Sequence, residues 1–184
     1  TVGLEHPRGD IELRHVEFGY QPGQPVLKDI SLKIPAGTQT AIVGATGSGK
    51  TTVINLLTRF YDVSSGSILL DGHDLRDYKM DDLRAAFGVV LQDTALFAES
   101  VRDNIAYGHP EAAMEQIRQA ARVAGADGFI QRLPKGYDTV LEQGGMELSQ
   151  GERQLITIAR AVLANAPILI LYEATSSVDT VTEQ

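Results

Sequence analysis

The stretch best suited to chemistry is Gly44-Ala45-Thr46-Gly47-Ser48-Gly49-Lys50-Thr51-Thr52, which matches the pattern G-x-x-x-x-G-K-[ST]. Its glycines let backbone N–H groups curl around an anion, Lys50 adds a positive charge, and Thr51 offers a hydroxyl suited to Mg²⁺. A helix that begins here adds roughly half a unit of positive charge at its N-terminus. The stretch therefore predicts a loop that binds the phosphates of a nucleoside triphosphate.

Apolar residues flank this loop on both sides, as a phosphate-binding loop requires. Residues 40–43 are predicted to form a buried strand before it. Val53, Leu56 and Phe60 give the following segment an apolar helical face. A strand, a loop and a helix in this order distinguish the motif from a glycine-rich turn that matches the pattern by chance.

Composition limits the classes of protein to which the chain can belong. With 184 residues, of which 43% are hydrophobic and 22% charged, the chain has enough apolar residues for one sizeable core. A net charge of -8 argues against a broad surface for nucleic acid or acidic membrane. The chain has no cysteine, so disulfides and zinc–thiolate sites are excluded.

Hydrophobic patterns predict the order of helices and strands. Residues 10–20 alternate like an edge strand, and residues 26–34 suggest a further pair of strands. Later segments follow in chain order: a strand at 68–70, a short helix at 81–86, a strand at 88–91, a helical insertion within 99–133, a long helix at about 151–164 and a buried strand at 168–171.

A second motif precedes the last long helix. Leu148-Ser149-Gln150-Gly151-Glu152 contains the S-x-x-E spacing of a capping box, which is also common at ordinary helix starts. The same five residues resemble the Leu-Ser-Gly-Gly-Gln signature of the ATP-binding cassette family, with Gln150 and Glu152 as departures. The order and spacing of the motifs, from Tyr20 to the segment 168–179, resemble this family over the whole chain.

The resemblance implies a fold and a domain organisation. The expected fold is an α/β P-loop NTPase core with a mostly parallel sheet, an N-terminal antiparallel β subdomain and an inserted helical subdomain at about 93–150. Residues 1–9 would be a connector from an upstream membrane domain, and 10–184 a nucleotide-binding domain. Residues 92–97, 104–108 and 136–145 resemble the exporter branch, in which the cassette commonly follows six membrane helices.

The family also assigns roles to matching residues, with ATP and Mg²⁺ as cofactors. Tyr20 would stack on adenine, although an aromatic residue also suits an edge strand. Gln92 would contact Mg²⁺ together with Thr51, and Glu173 would orient the attacking water. These two residues and Lys50 are the catalytic candidates, whereas a solvated loop glutamine and a strand-end glutamate are the plainer alternatives.

The resemblance further implies a head-to-tail dimer with two shared ATP sites. Ser149 and Gly151 of one subunit would complete the site of the other, and Asp179 would lie at their interface. The partners would be a second nucleotide-binding domain and a transmembrane domain at the cytoplasmic face of the cell membrane, with no nucleic acid. The four histidines match no family ligand and are expected at the surface: His6, His15, His73 and His109.

Two departures from the family pattern affect these expectations. Tyr172 stands where a metal-site aspartate is expected, so one carboxylate is replaced by a phenol. The chain ends at Gln184, before the family's switch histidine and one strand of the central sheet, which predicts a C-terminally truncated fragment. Weak hydrolysis with retained ATP binding is the expected consequence.

The predicted function is the ATP-hydrolysing motor domain of an exporter. An ATPase of DNA repair or chromosome structure is a rival within the family, but residues 93–147 lack the long coiled-coil insertion of that class. A catalytically silent subunit that regulates a competent partner in a heterodimer is the second rival, and Tyr172 favours it. The cargo and the choice between homodimer and heterodimer stay open.

Overall fold

The structure is a computed structural model that describes residues 2–45, 47–91 and 95–172. Two compact units divide the described chain at Phe87 and Gly88. The candidate residues Thr46, Gln92, Glu173 and Asp179 lie outside the described residues. In the described part, no helix is long and apolar enough to cross a membrane.

The first unit is built on an antiparallel sheet with the strand order β2-β1-β3-β4. Its strands are β1 (Ile11–Phe18), β2 (Leu27–Ile34), β3 (Ser65–Leu70) and β4 (His73–Asp74). Alternation buries Ile11 and Leu13, and an irregularity between Leu13 and Val16 shifts the pattern so that Val16 is buried as well. The buried side chains hold one face of the sheet against the rest of this unit.

Two expectations for these strands are wrong. β1 pairs with β2 on one side and β3 on the other, so it is an interior strand of its sheet and not an edge strand. Residues 26–34 form a single strand and not a pair. Alternating hydrophobicity reports which face of a strand is buried, but it does not report how many of its edges carry a partner.

The first unit also contains two helices, α1 (Lys50–Leu57) and α2 (Met80–Ala86). α1 buries Val53, Leu56 and Leu57, and α2 buries Leu83 and Ala86. The second helix confirms the one predicted at 81–86. These apolar faces fix α1, and therefore the loop that precedes it, to the unit that contains the sheet.

The predicted buried strand at residues 40–43 is absent from the described structure. No strand is assigned there, and the side chains of Ile42 and Val43 are 43% and 86% exposed. An apolar run becomes a strand only when a neighbouring strand accepts and donates its ladder hydrogen bonds. The apolar residues at 40–43 predicted burial, but they do not supply the neighbouring strand that a sheet requires.

The second unit is mainly helical and confirms the predicted helical insertion. It contains α3 (Val101–Ile105), α4 (Met114–Ala124), α5 (Asp127–Arg132), α6 (Gln150–Leu163) and two paired strands, β5 (Phe87–Leu91, which starts at the division) and β6 (Ile168–Tyr172). α3 and α4 pack against α6. Val101, Ile130 and Ile156 lie fully buried in the resulting core.

The two-stranded sheet of this unit is partly exposed. β6 confirms the strand predicted at 168–171, but its Leu169 and Leu171 side chains are 39% and 49% exposed, so the expected burial is wrong. Val89 and Leu91 of β5 are similarly exposed. Each strand projects side chains to both faces of the sheet. The elements packed on these two strands cover only part of that apolar surface.

Asn104 organises the loop that leads into α3. This fully buried side chain accepts a hydrogen bond from the Phe97 backbone N–H at 2.8 Å and donates to the Phe97 and Ser100 carbonyls at 3.0 and 3.1 Å. The Arg160 guanidinium donates to the Asn104 backbone carbonyl at 2.8 Å. The Asn104 side chain therefore organises residues 97–104, and Arg160 links this segment to α6.

Replacing Asn104 with leucine should destabilise the second unit. Leucine has a similar volume but leaves the Phe97 N–H and its carbonyl partners without the amide, so the free energy of unfolding should fall by about 3 kcal/mol or more. Urea unfolding followed by circular dichroism measures this change. Gln119→Leu, at an exposed amide on α4, is the matched control and should change stability little; equal effects of the two substitutions would contradict the role given to Asn104.

Candidate functional site

The glycines of the loop take conformations that other residues avoid. Gly47 and Gly49 have φ angles of +81° and +98°, and the Ser48 N–H donates to the Ala45 carbonyl at 3.0 Å. A Cβ on Gly49 would lie 2.8 Å from Cδ2 of Leu27, a β2 residue. Gly49 is therefore required both for its backbone angle and for the close approach of the loop to the sheet.

The N-terminus of α1 has no anionic partner among its own first-turn side chains. Gly49 is the N-cap residue, it supplies no side-chain hydrogen bond, and none of the residues in the first turn is acidic. The first N–H groups of a helix have no acceptor within the helix, and the helix dipole adds partial positive charge there. Such an end is suited to binding phosphate oxygens.

Lys50 begins α1 and curls back over the loop. Its ammonium donates hydrogen bonds to the Gly44 and Ala45 backbone carbonyls, the second at 3.1 Å. The charge therefore lies beside the loop that would surround an anion. Thr51 follows at an exposed position of the first turn, and the Thr52 side chain is buried.

Tyr20 is brought to the same helix. Its hydroxyl lies 3.0 Å from Oγ1 of Thr52 and accepts a hydrogen bond from Nδ2 of Asn55 at 3.2 Å. The ring is 47% exposed and makes edge contacts with Phe18 and Tyr61, with centroid separations of 5.0 and 5.1 Å. An exposed aromatic face is thus held close to the start of α1.

Asn55 and Tyr61 contact Tyr20 but were not among the site residues predicted from the sequence. Thr52 and Asn55 are three residues apart, a spacing that places both on one face of α1. That spacing was visible in the sequence. The contact of Tyr20 with this face depends on how the segment after β1 passes over the helix, which no local pattern encodes.

Ser149 and Gly151 lie in the second unit, at the start of α6. Ser149 is the N-cap residue: its Oγ accepts from the Glu152 N–H at 3.1 Å, and Oε1 of Glu152 accepts from the Ser149 N–H at 3.2 Å. The predicted capping box is confirmed. Ser149, Gln150 and Gly151 are all exposed, so this helix start faces solvent.

Tyr172 ends β6, and its side chain is partly buried. The position agrees with the predicted strand, directly before Glu173. Among the described residues, no group of three or more His, Cys, Asp or Glu side chains could hold a metal ion.

Comparison with known proteins identifies the family. The family model described as ABC transporter matches residues 27–176. The chain belongs to the ABC transporter family. The nucleotide-binding fold of the exporter type, predicted from the motifs, is confirmed by the relatives below.

Three curated bacterial relatives are more than half identical to the chain. A fatty acid ABC transporter ATP-binding/permease protein of Mycobacterium bovis is 53% identical over 98% of the chain and 28% of its own length. An ATP-dependent lipid A-core flippase of Syntrophus aciditrophicus is 55% identical over 100% of the chain and 30% of its own length. An uncharacterised ABC transporter ATP-binding protein, YfiC of Bacillus subtilis, is 54% identical over 95% and 29%.

A solved structure shares the fold. A bacterial Atm1-family ABC exporter with ATP bound matches 100% of this chain and 33% of its own, at 41% identity and a TM-score of 0.77. The chain thus spans about three tenths of the length of the curated relatives it matches. ABC transporter ATP-binding domains are ATPases in general, and they use ATP, generally with Mg²⁺.

Gly49→Ala should destabilise the first unit more than Gly72→Ala. Both glycines have positive φ, +98° and +86°, so each alanine should cost roughly 1–2 kcal/mol of backbone strain. Only at Gly49 would the new Cβ also collide with Leu27, whereas nothing lies within 4 Å at Gly72. Free energies of unfolding from urea titrations test this order; an equal loss at both sites would contradict the packing role of Gly49.

Proposed function

We propose that this chain is the ATP-hydrolysing motor domain of an ABC exporter, which couples ATP-driven dimerisation to transport across a membrane. The observation that carries the proposal is the start of α1, where a glycine loop, an uncapped helix N-terminus and Lys50 lie together. Membership of the ABC transporter family supports the same assignment.

The residues of the loop would hold the nucleotide. Backbone N–H groups of Gly44–Thr52 would bind the phosphates, and Lys50 would leave the Gly44 and Ala45 carbonyls to pair with phosphate oxygens. Tyr20 would stack its exposed ring on adenine, held in place by Thr52 and Asn55. Thr51 and Gln92 would bind Mg²⁺, which neutralises charge on the phosphates when it is bound.

Hydrolysis would require groups that position water. Glu173 would orient or deprotonate the attacking water, and Gln92 would contact the same water. General-base positioning of this kind typically contributes about 10²- to 10⁴-fold in rate. Lys50 would stabilise the negative charge of the transferred phosphoryl group.

A second copy, or a related domain, would complete each site. Ser149 and Gly151 lie exposed at the start of α6, where a partner's ATP could reach both the hydroxyl and the helix N-terminus. The capping bond to Glu152 already fixes the Ser149 side chain. Closure of the dimer on ATP, and its opening after hydrolysis, would move attached transmembrane domains at the cytoplasmic face of the cell membrane.

The names of the relatives support a transmembrane partner but do not identify the cargo. Two relatives are named as transporters of fatty acid and of lipid A-core, the first as an ATP-binding/permease protein, which supports fusion to a membrane domain. Their identities to this chain are 53% and 55%. Since the two identities are about equal, the comparison favours neither cargo.

Tyr172 favours a second candidate function, a catalytically impaired subunit that regulates a competent partner in a heterodimer. A phenol at the end of β6 offers no carboxylate to the outer shell of Mg²⁺. Loss of such an outer-shell group typically costs about 10- to 100-fold in metal affinity or activity. ATP binding does not need this group, so a bound but slowly hydrolysed nucleotide would suit a regulatory subunit.

Lys50→Met should weaken ATP binding about tenfold or more, because it removes a charge-assisted contact to the phosphates. Isothermal titration calorimetry with ATP and Mg²⁺ measures the affinity. Lys28→Met, at an exposed lysine of β2, is the matched control and should leave it unchanged. If Lys50→Met bound ATP as tightly as the unaltered chain, the assignment of the loop would be wrong.

Tyr172→Asp should raise Mg²⁺-dependent ATP hydrolysis about 10- to 100-fold, because it adds the carboxylate that the unaltered chain lacks. Phosphate release at saturating ATP measures the rate. Tyr172→Asn matches the size of aspartate without its charge, and Tyr172→Phe retains the ring. A rise with both Asp and Asn would indicate that the ring obstructs the site, whereas equal rates in all four proteins would show that Tyr172 is not disabling.

A further inference from the structure

Four basic side chains line one cavity in the second unit. Its volume is about 570 Å³, and Arg102, Arg118, Arg122 and Lys135 line it together with Tyr137 and Asp138. The chain as a whole carries 24 acidic and 16 basic residues, so a quarter of its lysines and arginines lie at this one cavity. None of the described residues of the loop 44–52 contributes to it.

Two of the four cations are paired with carboxylates. Arg102 lies 3.4 Å from Asp138 and 3.9 Å from Asp103, and Arg122 lies 3.3 Å from Glu115 and 4.0 Å from Asp127. Asp138 and Glu115 are 68% and 73% exposed, and such exposed pairs exchange readily with solvent and other ions. These two exposed pairs therefore leave Arg102 and Arg122 able to bind another anion, although Asp127, whose side chain is only 18% exposed, stays close to Arg122.

The other two cations have no carboxylate within 4.0 Å in the ranges that the structure describes. Arg118 holds its guanidinium 5.9 Å from the centre of the Tyr137 ring, and Lys135 is an exposed residue that also lines the cavity. A guanidinium at this distance makes a cation–π contact with the ring.

Tyr137 lines the cavity and carries no charge. The ring is buried, and its hydroxyl donates to Oδ1 of Asp127 at 2.5 Å. Burial, followed by the hydrogen bond to Asp127, raises the pKa of Tyr137 well above its ordinary value, so the phenol stays protonated. Asp127 also accepts a hydrogen bond from Gln131 at 2.8 Å, so both of its carboxylate oxygens are hydrogen-bonded.

We propose that this cavity is a second anion site that binds a phosphate group, in which Arg118 and Lys135 supply the principal contacts. Guanidinium groups form paired hydrogen bonds with phosphate oxygens, and an ammonium adds a compact positive charge. The volume lies within the range of small-ligand sites in proteins, about 300–1,000 Å³. The site would therefore take a free phosphate ester or the phosphate of a lipid headgroup.

The overall charge favours a compact phosphate over an extended acidic peptide. A net charge of -8 repels a long polyanion across the wider surface, whereas a small anion experiences mainly the cations that surround it. The ligand proposed here is distinct from the nucleotide of the loop, and the inference does not depend on the proposed function.

Amide NMR of the ¹⁵N-labelled chain can locate phosphate at this cavity and separate it from the loop. Titration with inorganic phosphate at constant ionic strength should shift the Gly136, Tyr137 and Asp138 amides along a saturating curve. Arg118→Gln with Lys135→Gln should lower the phosphate affinity about tenfold or more, since two charged contacts are removed. Arg132→Gln, at an exposed arginine outside the cavity, should leave the curve unchanged.

A second arm distinguishes the source of the phosphate. Vesicles of phosphatidylcholine with phosphatidic acid should broaden the same amides if a lipid headgroup is the ligand, and vesicles of phosphatidylcholine alone should not. Saturation by either phosphate source supports the site. Three results would each overturn the proposal. They are equal amide shifts with chloride, shifts confined to the amides of the loop 44–52, and a chain that binds polyglutamate but not phosphate. If the double variant unfolds, the mapped titration of the unaltered chain still decides between these outcomes.

Discussion

The proposed phosphate site depends on the backbone N–H groups at the start of α1. They have no acceptor within the helix, and Gly49 at the N-cap supplies none from its side chain. Positive φ angles at Gly47 and Gly49 keep the preceding loop curled, and Leu27 of β2 leaves no room for a larger residue at Gly49. Contact with β2 therefore keeps Gly49, and with it the start of α1, in a form suited to binding an anion.

The start of α6 shows the opposite solution to the same problem. There Ser149 and Glu152 satisfy backbone donors reciprocally, so that helix end is stable without a ligand. This difference suits the roles proposed for the two ends. α1 would bind phosphates strongly within its own site, whereas Ser149 and Gly151 would add contacts from a preorganised and exposed surface when a partner approaches.

Local patterns were sufficient where the determining interactions are local. The capping box, α2, the helical insertion and α6 depend on contacts between residues a few positions apart, and all were predicted from the sequence. Strand predictions failed where they depended on hydrogen-bonded partner strands. β1 is an interior strand and not an edge strand, and residues 40–43 form no strand in the described structure. Apolar composition predicts burial, but pairing depends on distant segments.

The sequence by itself determined the family and the chemistry of the phosphate-binding loop, because spacing along the chain fixes which groups a strand–loop–helix turn can present. It also placed Tyr172 directly before Glu173. Only the tertiary structure decided that Tyr20 rests on Thr52 and Asn55, and that Arg102 of α3 lies beside Arg118, Arg122 and Lys135. These groups come from separate segments, so their proximity arises from packing of the helices and loops and not from any local pattern.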